Sequence, residues 1–203
     1  MVSVQSDRLD SGQPREELLV PSSVKIVVAG GFGVGKTTMV GAVSEITPLR
    51  TEELLTEAGT QIDDLAGVEG KNTTTVALDF GRITINPEVV LYLFGTPGQD
   101  RFWFMWDELS YGAIGAVVLV DTRRLDGGFG AIDFFERRGI PFVVAVNCFE
   151  GGHSYSEDEV RHALDVGDNV PLVLCDARDR ESCKTVLARV IEHAMSKLDH
   201  AVA

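Results

Sequence analysis

Gly30-Gly31-Phe32-Gly33-Val34-Gly35-Lys36-Thr37 satisfies the pattern G-x-x-x-x-G-K-S/T and directly follows the apolar run Val24-Lys25-Ile26-Val27-Val28-Ala29. A strand, a glycine-rich loop and a helix in that order make a phosphate cradle. The glycines let successive backbone N–H groups turn inward around a β-phosphate, Lys36 brings an ammonium to the β/γ oxygens, and Thr37 offers a hydroxyl to Mg²⁺. A helix opening near Lys36 adds the positive end of its dipole at the same spot. The residues expected to touch the nucleotide phosphates are therefore Gly30, Gly31, Phe32, Gly33, Val34, Gly35, Lys36, Thr37 and Thr38.

Outward from this loop, strand-like apolar runs alternate with helical or polar stretches, the pattern of a mostly parallel sheet covered on both faces. Strands are predicted over 24–29, 75–85, 89–94, 116–120, 141–146 and 171–175, and helices over 37–46, 103–110, 128–138, 156–164 and 180–198. Asn86-Pro87 is turn chemistry, which makes the second and third strands a hairpin and introduces one antiparallel strand into a six-stranded α/β sheet. Thr47-Pro48 stops the first helix, and Ser156 with Glu159 forms a capping box at the start of the fourth. Residues 1–22 lack any period and read as a flexible tail, leaving 23–200 as one domain. The stretch 50–72, with Gly59, Gly67 and Gly70, is too loosely periodic for a packed element and reads as a loop over the site.

Composition narrows the function classes. A chain of 203 residues suits one α/β domain, and no apolar run approaches the ~20 residues of a membrane span. The N-terminus has no signal-peptide core, which points to the cytoplasm. A net charge of −13 argues against a nucleic-acid or anionic-lipid surface, since such partners select for clustered Lys and Arg. Three cysteines, Cys148, Cys175 and Cys183, are odd in number and lack C-x-x-C spacing, so neither a disulfide framework nor a structural zinc site is expected. The chain ends without a Cys-a-a-X box, so no direct lipid anchor is expected either.

Two later segments bear on the reaction. Leu91-Tyr92-Leu93-Phe94 runs into Gly95-Thr96-Pro97-Gly98-Gln99, a loop expected to face the γ-phosphate: the Gly98 N–H can sense that phosphate and Gln99 can orient an attacking water. Val143-Val144-Ala145-Val146 runs into Asn147-Cys148-Phe149-Glu150, and a last strand ends at Cys175-Asp176-Ala177-Arg178. Order and spacing resemble the Ras superfamily of small GTPases. Within it, the loop, Thr73-Thr74-Thr75-Val76-Ala77-Leu78-Asp79-Phe80-Gly81, Gly95-Thr96-Pro97-Gly98-Gln99 and Asn147-Cys148-Phe149-Glu150 are most similar to the bacterial MglA-type branch and the actinobacterial conservon GTPases.

That resemblance implies a Ras-like P-loop NTPase fold and a GTP/GDP cycle with Mg²⁺ and slow hydrolysis, catalysed by Lys36 and Gln99. It also implies a Roadblock/LC7-type regulator and sensor-kinase-like partners, through which a cytoplasmic protein could reach a membrane. By the superfamily's Thr-x-x-x-Asp-Phe spacing, Thr75 would close over Mg²⁺ and the γ-phosphate, with Thr73 and Thr74 as rivals and an edge-strand role as the plain alternative. Glu150 would hold the guanine N1–H and exocyclic amine beside Asn147, and the Ala177 N–H would meet guanine O6. Arg50 is either an internal arginine finger or a surface residue.

The departures from that pattern are specific. Gly95 stands where small GTPases usually carry the Asp that holds Mg²⁺ through water, with Asp79 a conceivable outer-shell substitute. Phe32 falls where a side chain crowds the catalytic glutamine, which predicts slow turnover, unless it folds back onto the switch segments. Cys148 replaces the lysine whose stem covers the base, and Glu150 is one methylene longer than the usual Asp. Two alternatives stay open: a nucleotide-gated binding protein with negligible hydrolysis, and an ATP-using P-loop protein.

Overall fold

The computed structural model describes residues 20–47, 49–56, 73–98, 102–149 and 155–202. In chain order the elements are β1 Ser22–Ala29, α1 Lys36–Val43, β2 Leu49–Thr56, β3 Thr73–Asn86, β4 Val89–Gly95, α2 Phe104–Ser110, β5 Gly115–Val120, α3 Asp126–Arg138, β6 Phe142–Asn147, α4 Glu157–Leu164, β7 Leu172–Cys175 and α5 Arg180–Val202. They build one sheet in the order β2-β3-β4-β1-β5-β6-β7. β1 lies parallel to β4 and β5, β5 to β6, and β6 to β7, while β3 is antiparallel to both β2 and β4. Among the described strands β3 alone is reversed, as the Asn86-Pro87 hairpin predicts.

The sheet exceeds the six predicted strands by one. β2 occupies the start of the stretch read as a loop and pairs from Leu49↔Phe80 to Thr56↔Thr73 along the outer edge of β3. Its formation follows from the partner rather than from its own pattern: an unpaired strand edge presents a row of free N–H and C=O groups that any extended neighbour can satisfy. Most predicted boundaries hold to within one or two residues, but α1 stops at Val43 and α5 continues to Val202.

The core is two-sided, and strand alternation assigns its halves. Ile26 and Val28 face one layer with Met39, Val40, Leu119, Val143, Val186 and Val190, so α1 and α5 cover that face. Val27 and Ala29 face the other with Val118, Val144, Trp106, Ile132, Phe135 and Leu164, beneath α2, α3 and α4. β5 and β6 are buried along their whole length, which explains why Gly115–Val120 and Phe142–Asn147 read as unbroken apolar runs. α4 starts at the predicted capping box: the Glu159 N–H donates to Ser156 Oγ and the Ser156 N–H to Glu159 Oε2.

Strand order also locates the crevice. After β1 the chain builds one side of the sheet through β4, then crosses to the other side of β1 at β5, so the carboxyl end of β1 is a topological switch point. The glycine-rich loop leaves from that end.

Candidate functional site

The loop after β1 passes through left-handed backbone at Gly30 (φ 137°), Gly33 (φ 74°) and Gly35 (φ 109°), a conformation that L side chains rarely tolerate. Gly35 is the N-cap of α1 and no side chain caps the helix. That end of the helix therefore faces the cleft with its dipole unopposed, as an anion site requires. Lys36 is buried at 7% exposure. Its Nζ donates to the carbonyls of Gly30 at 2.8 Å and Gly31 at 2.7 Å, which holds the ammonium inside the loop. Burial pushes its pKa down to about 8, against the opposing pull of the Asp79 carboxylate.

Beside Lys36 lies a cleft of about 280 Å³ lined by Phe32, Gly33, Gly35, Lys36, Thr37, Thr38, Asp79, Thr96, Pro97 and Gly98. Thr37 Oγ1 donates to Asp79 Oδ2 at 2.5 Å. Asp79 is 7% exposed and pairs across the strands with Gly95. A Cβ placed on Gly95 would stand 2.9 Å from Asp79 Cβ and 3.1 Å from its Oδ2. The carboxylate thus fills the space that the missing Gly95 side chain leaves. Thr96 Oγ1 is buried in the same wall without a hydrogen-bond partner.

These donors suit a hard divalent cation. Hydroxyl and carboxylate oxygens beside a phosphate site match Mg²⁺, which keeps several waters and needs few protein ligands. Among the described residues, no group of three or more His, Cys, Asp or Glu side chains could hold a metal ion.

At the opposite end of the crevice the polar groups face one another. Asn147 is 5% exposed; its Nδ2 donates to Val34 O at 3.0 Å and its Oδ1 accepts the Ala177 N–H at 3.0 Å. Asn147 therefore ties the phosphate loop to the loop after β7. The Ala177 N–H, the group expected to meet guanine O6, donates to Asn147 here; both groups are buried and each gives the other a partner. Arg178 forms a two-pronged pair with Asp176 (2.9 and 2.8 Å), holding that carboxyl down to about 2, chiefly through these side-chain hydrogen bonds. Arg123 donates from Nε to Oδ1 of the buried Asp121 at 2.9 Å and from Nη2 to Oδ2 at 2.7 Å, which lowers the pKa of that carboxyl, and lays its guanidinium 3.9 Å above the Phe149 ring. Arg124 Nη2 donates to Phe32 O at 3.1 Å. The signal in the sequence that marks Arg123 is the Asp-x-Arg spacing, repeated at Asp176-Ala177-Arg178. Cys148 is an exposed free thiol, whereas Cys175 and Cys183 are buried, with burial pushing their pKa up to about 12 and about 11.

Gly98 lies against the phosphate loop: a Cβ there would stand 2.6 Å from Lys36 Nζ and 2.9 Å from Phe32 Cα. Phe32 is 69% exposed at the mouth of the cleft. Trp106 is buried, donates its indole N–H to Pro97 O at 3.3 Å and packs edge-on against Phe134, so α2 is tied to the Gly95–Gly98 turn and to α3. Trp103 stacks on Trp106 and covers Gly130 of α3. Gln99 and Glu150 lie outside the described residues, as does the Thr75 side chain. The Thr75 backbone sits within β3 opposite Leu54, and Arg50 sits in β2 opposite Asp79.

Comparisons with known proteins agree with this geometry. Residues 28–197 match the family of conserved hypothetical ATP binding proteins. An uncharacterized protein of Methanocaldococcus jannaschii is 34% identical over 131 residues, spanning 64% of this chain and 72% of the relative. Among solved structures, the G domain of the T. maritima FeoB iron transporter superposes with a TM-score of 0.59 at 17% identity, covering 85% of this chain and 99% of that one. The cytosolic domain of the same transporter, in a GDP form, superposes with a TM-score of 0.61 at 16% identity, covering 86% of this chain and 64% of that one.

Proposed function

The chain belongs to the conserved hypothetical ATP binding protein family and is a nucleotide-binding P-loop protein with a G-domain fold; from that premise we propose that it is a small GTP-dependent switch with slow hydrolysis. One observation carries the proposal, the closeness of Gly98 to Lys36 and to the phosphate loop. A terminal phosphate that enters between them has to draw the ammonium off the Gly30 and Gly31 carbonyls, and it meets the Gly98 main chain as it does so. The turn after β4, and α2 behind it, then have a different arrangement with a triphosphate than with a diphosphate. A ligand moves such an equilibrium only by interacting differently with the two arrangements, and the γ-phosphate is the group that differs.

Gln99, next to Gly98, is the residue assigned to orient the attacking water. Phe32 stands where, by the resemblance, a side chain crowds the catalytic glutamine, and lack of an arginine finger costs on the order of 10³ to 10⁵ in rate in related chemistry, so slow intrinsic turnover is the expectation. Mg²⁺, when bound, neutralises charge on the β and γ oxygens; Thr37 and Thr75 are the residues assigned to it. Glu150 favours guanine, because adenine presents an acceptor where guanine offers two N–H donors and would leave a carboxylate unpaired. Asn147 acts by holding the two base-side loops together. The likeness to the MglA-type branch supports a Roadblock/LC7-type regulator and sensor-kinase-like partners. No helix of the described residues is long and apolar enough to cross a membrane, which fits a protein recruited by partners.

A second reading, a nucleotide-gated binding protein that scarcely hydrolyses, is favoured by the exposed Phe32. Calorimetric titration with GTP, GDP and ATP in Mg²⁺, followed by single-turnover phosphate release, separates the readings. The switch predicts GTP preference and slow release that Gln99→Ala reduces further. No release with tight GTP binding supports the second reading, and ATP preference removes the guanine assignment.

A further inference from the structure

Gly95 removes the carboxylate expected on β4, yet the cleft still holds one at nearly the same place. Asp79 reaches it from β3, the antiparallel neighbour, where it is the direct cross-strand partner of Gly95. The two positions compete for one volume, since a Cβ on Gly95 would come within 3.1 Å of Asp79 Oδ2. Two side chains of carboxylate size cannot both occupy it.

We propose that Asp79 is the metal-positioning carboxylate of this site, moved one strand over from Gly95, with the Thr96 hydroxyl completing the oxygen wall around the cation's water shell. The proposal rests on the nucleotide-binding reading above and adds the residues that hold the cation. Three observations support it independently. Asp79 Oδ2 accepts the Thr37 hydroxyl proton at 2.5 Å, which turns the Thr37 lone pairs away from the carboxylate and into the cleft where a cation would meet them. Asp79 is buried and acts electrostatically on Lys36, so its charge lies at the phosphate end of the site. Thr96 lines the same cleft and its Oγ1 is buried without a partner; a buried hydroxyl in that condition carries a desolvation cost until a water or ligand meets it. Among the oxygens described, Asp79 supplies the negative charge and Thr37 and Thr96 supply neutral donors, a set that holds a hydrated Mg²⁺ by its waters rather than by stripping them.

The antiparallel pairing explains why the exchange is possible. A Cβ on Gly95 would stand 2.9 Å from Asp79 Cβ, so a side chain from either position enters the same volume. β3 is the reversed strand, and only an antiparallel neighbour places Asp79 directly opposite the last residue of β4.

The test reads metal dependence and not turnover. Dissociation of fluorescent mant-GDP and mant-GTP is measured in excess Mg²⁺ and in EDTA, and the ratio of the two rates reports the cation's hold. Asp79→Asn is expected to shrink that ratio by roughly 10–100-fold, the usual effect of losing a supporting group around a metal. Thr96→Val is expected to shrink it a few-fold. The exchange variant Asp79→Gly/Gly95→Asp, which returns the carboxylate to β4, is expected to recover most of the ratio, and Mn²⁺ bound to the mant-GDP complex, followed by electron paramagnetic resonance, is expected to follow the same order. If Asp79→Asn does not fold, the exchange variant and the Mn²⁺ signal of Thr96→Val carry the test. An Asp79→Asn ratio equal to that of the unaltered protein, or an exchange variant that folds but shows no metal dependence, overturns the assignment. An unaltered protein that binds neither mant nucleotide overturns the nucleotide reading itself, a different result from either.

Discussion

The two ends of the crevice handle their polar groups in opposite ways. At the phosphate end the chain leaves them unmet or replaceable: the uncapped start of α1, the Thr96 hydroxyl buried without a partner, and an ammonium held by carbonyls that a phosphate can replace. At the base end they are satisfied internally, Asn147 by Val34 and Ala177, Arg178 by Asp176, Arg123 by Asp121. A group already paired offers little to a ligand, whereas an unpaired buried one gains on binding. Among the described residues, the groups with most to gain from a ligand therefore lie at the phosphate end, and those at the base end contribute rigidity.

Removing the ammonium is the strongest way to break this contrast. Lys36→Ala is expected to lower triphosphate affinity by about two to four orders of magnitude, the sum of two charge-assisted hydrogen bonds, as read by calorimetry. Asn147→Ala tests the other end through stability. It leaves the Val34 carbonyl and the Ala177 N–H buried and unpaired, at about 2–5 kcal/mol in urea unfolding. If the loss appears only in nucleotide affinity and not in stability, the base end binds ligand directly and the contrast fails.

The pH dependence of the Lys36 ammonium sharpens the comparison further. Its pKa lies near 8 in the free fold against 10.5 for the unperturbed side chain, because burial disfavours the charge. Between those values the unfolded chain binds more protons, so free-protein stability is expected to rise with pH across that window. Nucleotide binding runs the other way. A bound triphosphate keeps Lys36 protonated, so affinity is flat below about pH 8 and falls by up to about tenfold per pH unit above it. Stability and affinity moving together would show that another group governs the site. Smallest in effect is Ser156→Ala, which breaks the α4 capping box far from the phosphate loop. It should cost about 1 kcal/mol of stability, seen in thermal unfolding, and leave nucleotide affinity unchanged.

Much of this arrangement was legible in the residues. The glycine-rich loop predicts the cradle, and Asn86-Pro87 predicts the single reversed strand, because both rest on local backbone chemistry that neighbours scarcely alter. β2 was not legible. Leu49-Arg50-Thr51-Glu52-Glu53-Leu54-Leu55-Thr56 has no clear alternation, and it becomes a strand through the edge that β3 offers. The pairing of the Ala177 N–H with Asn147 was not legible either, because it depends on a residue 30 positions away.

The sequence alone determined that a strand, a phosphate loop and a helix occur in that order, and that Gly95 lacks the customary carboxylate. Only the tertiary structure decided what fills that vacancy. Asp79 and Gly95 are 16 positions apart in the chain, and antiparallel pairing alone makes them neighbours. Local patterns report what a segment prefers; which two side chains contest one volume is settled only when strand register brings them face to face.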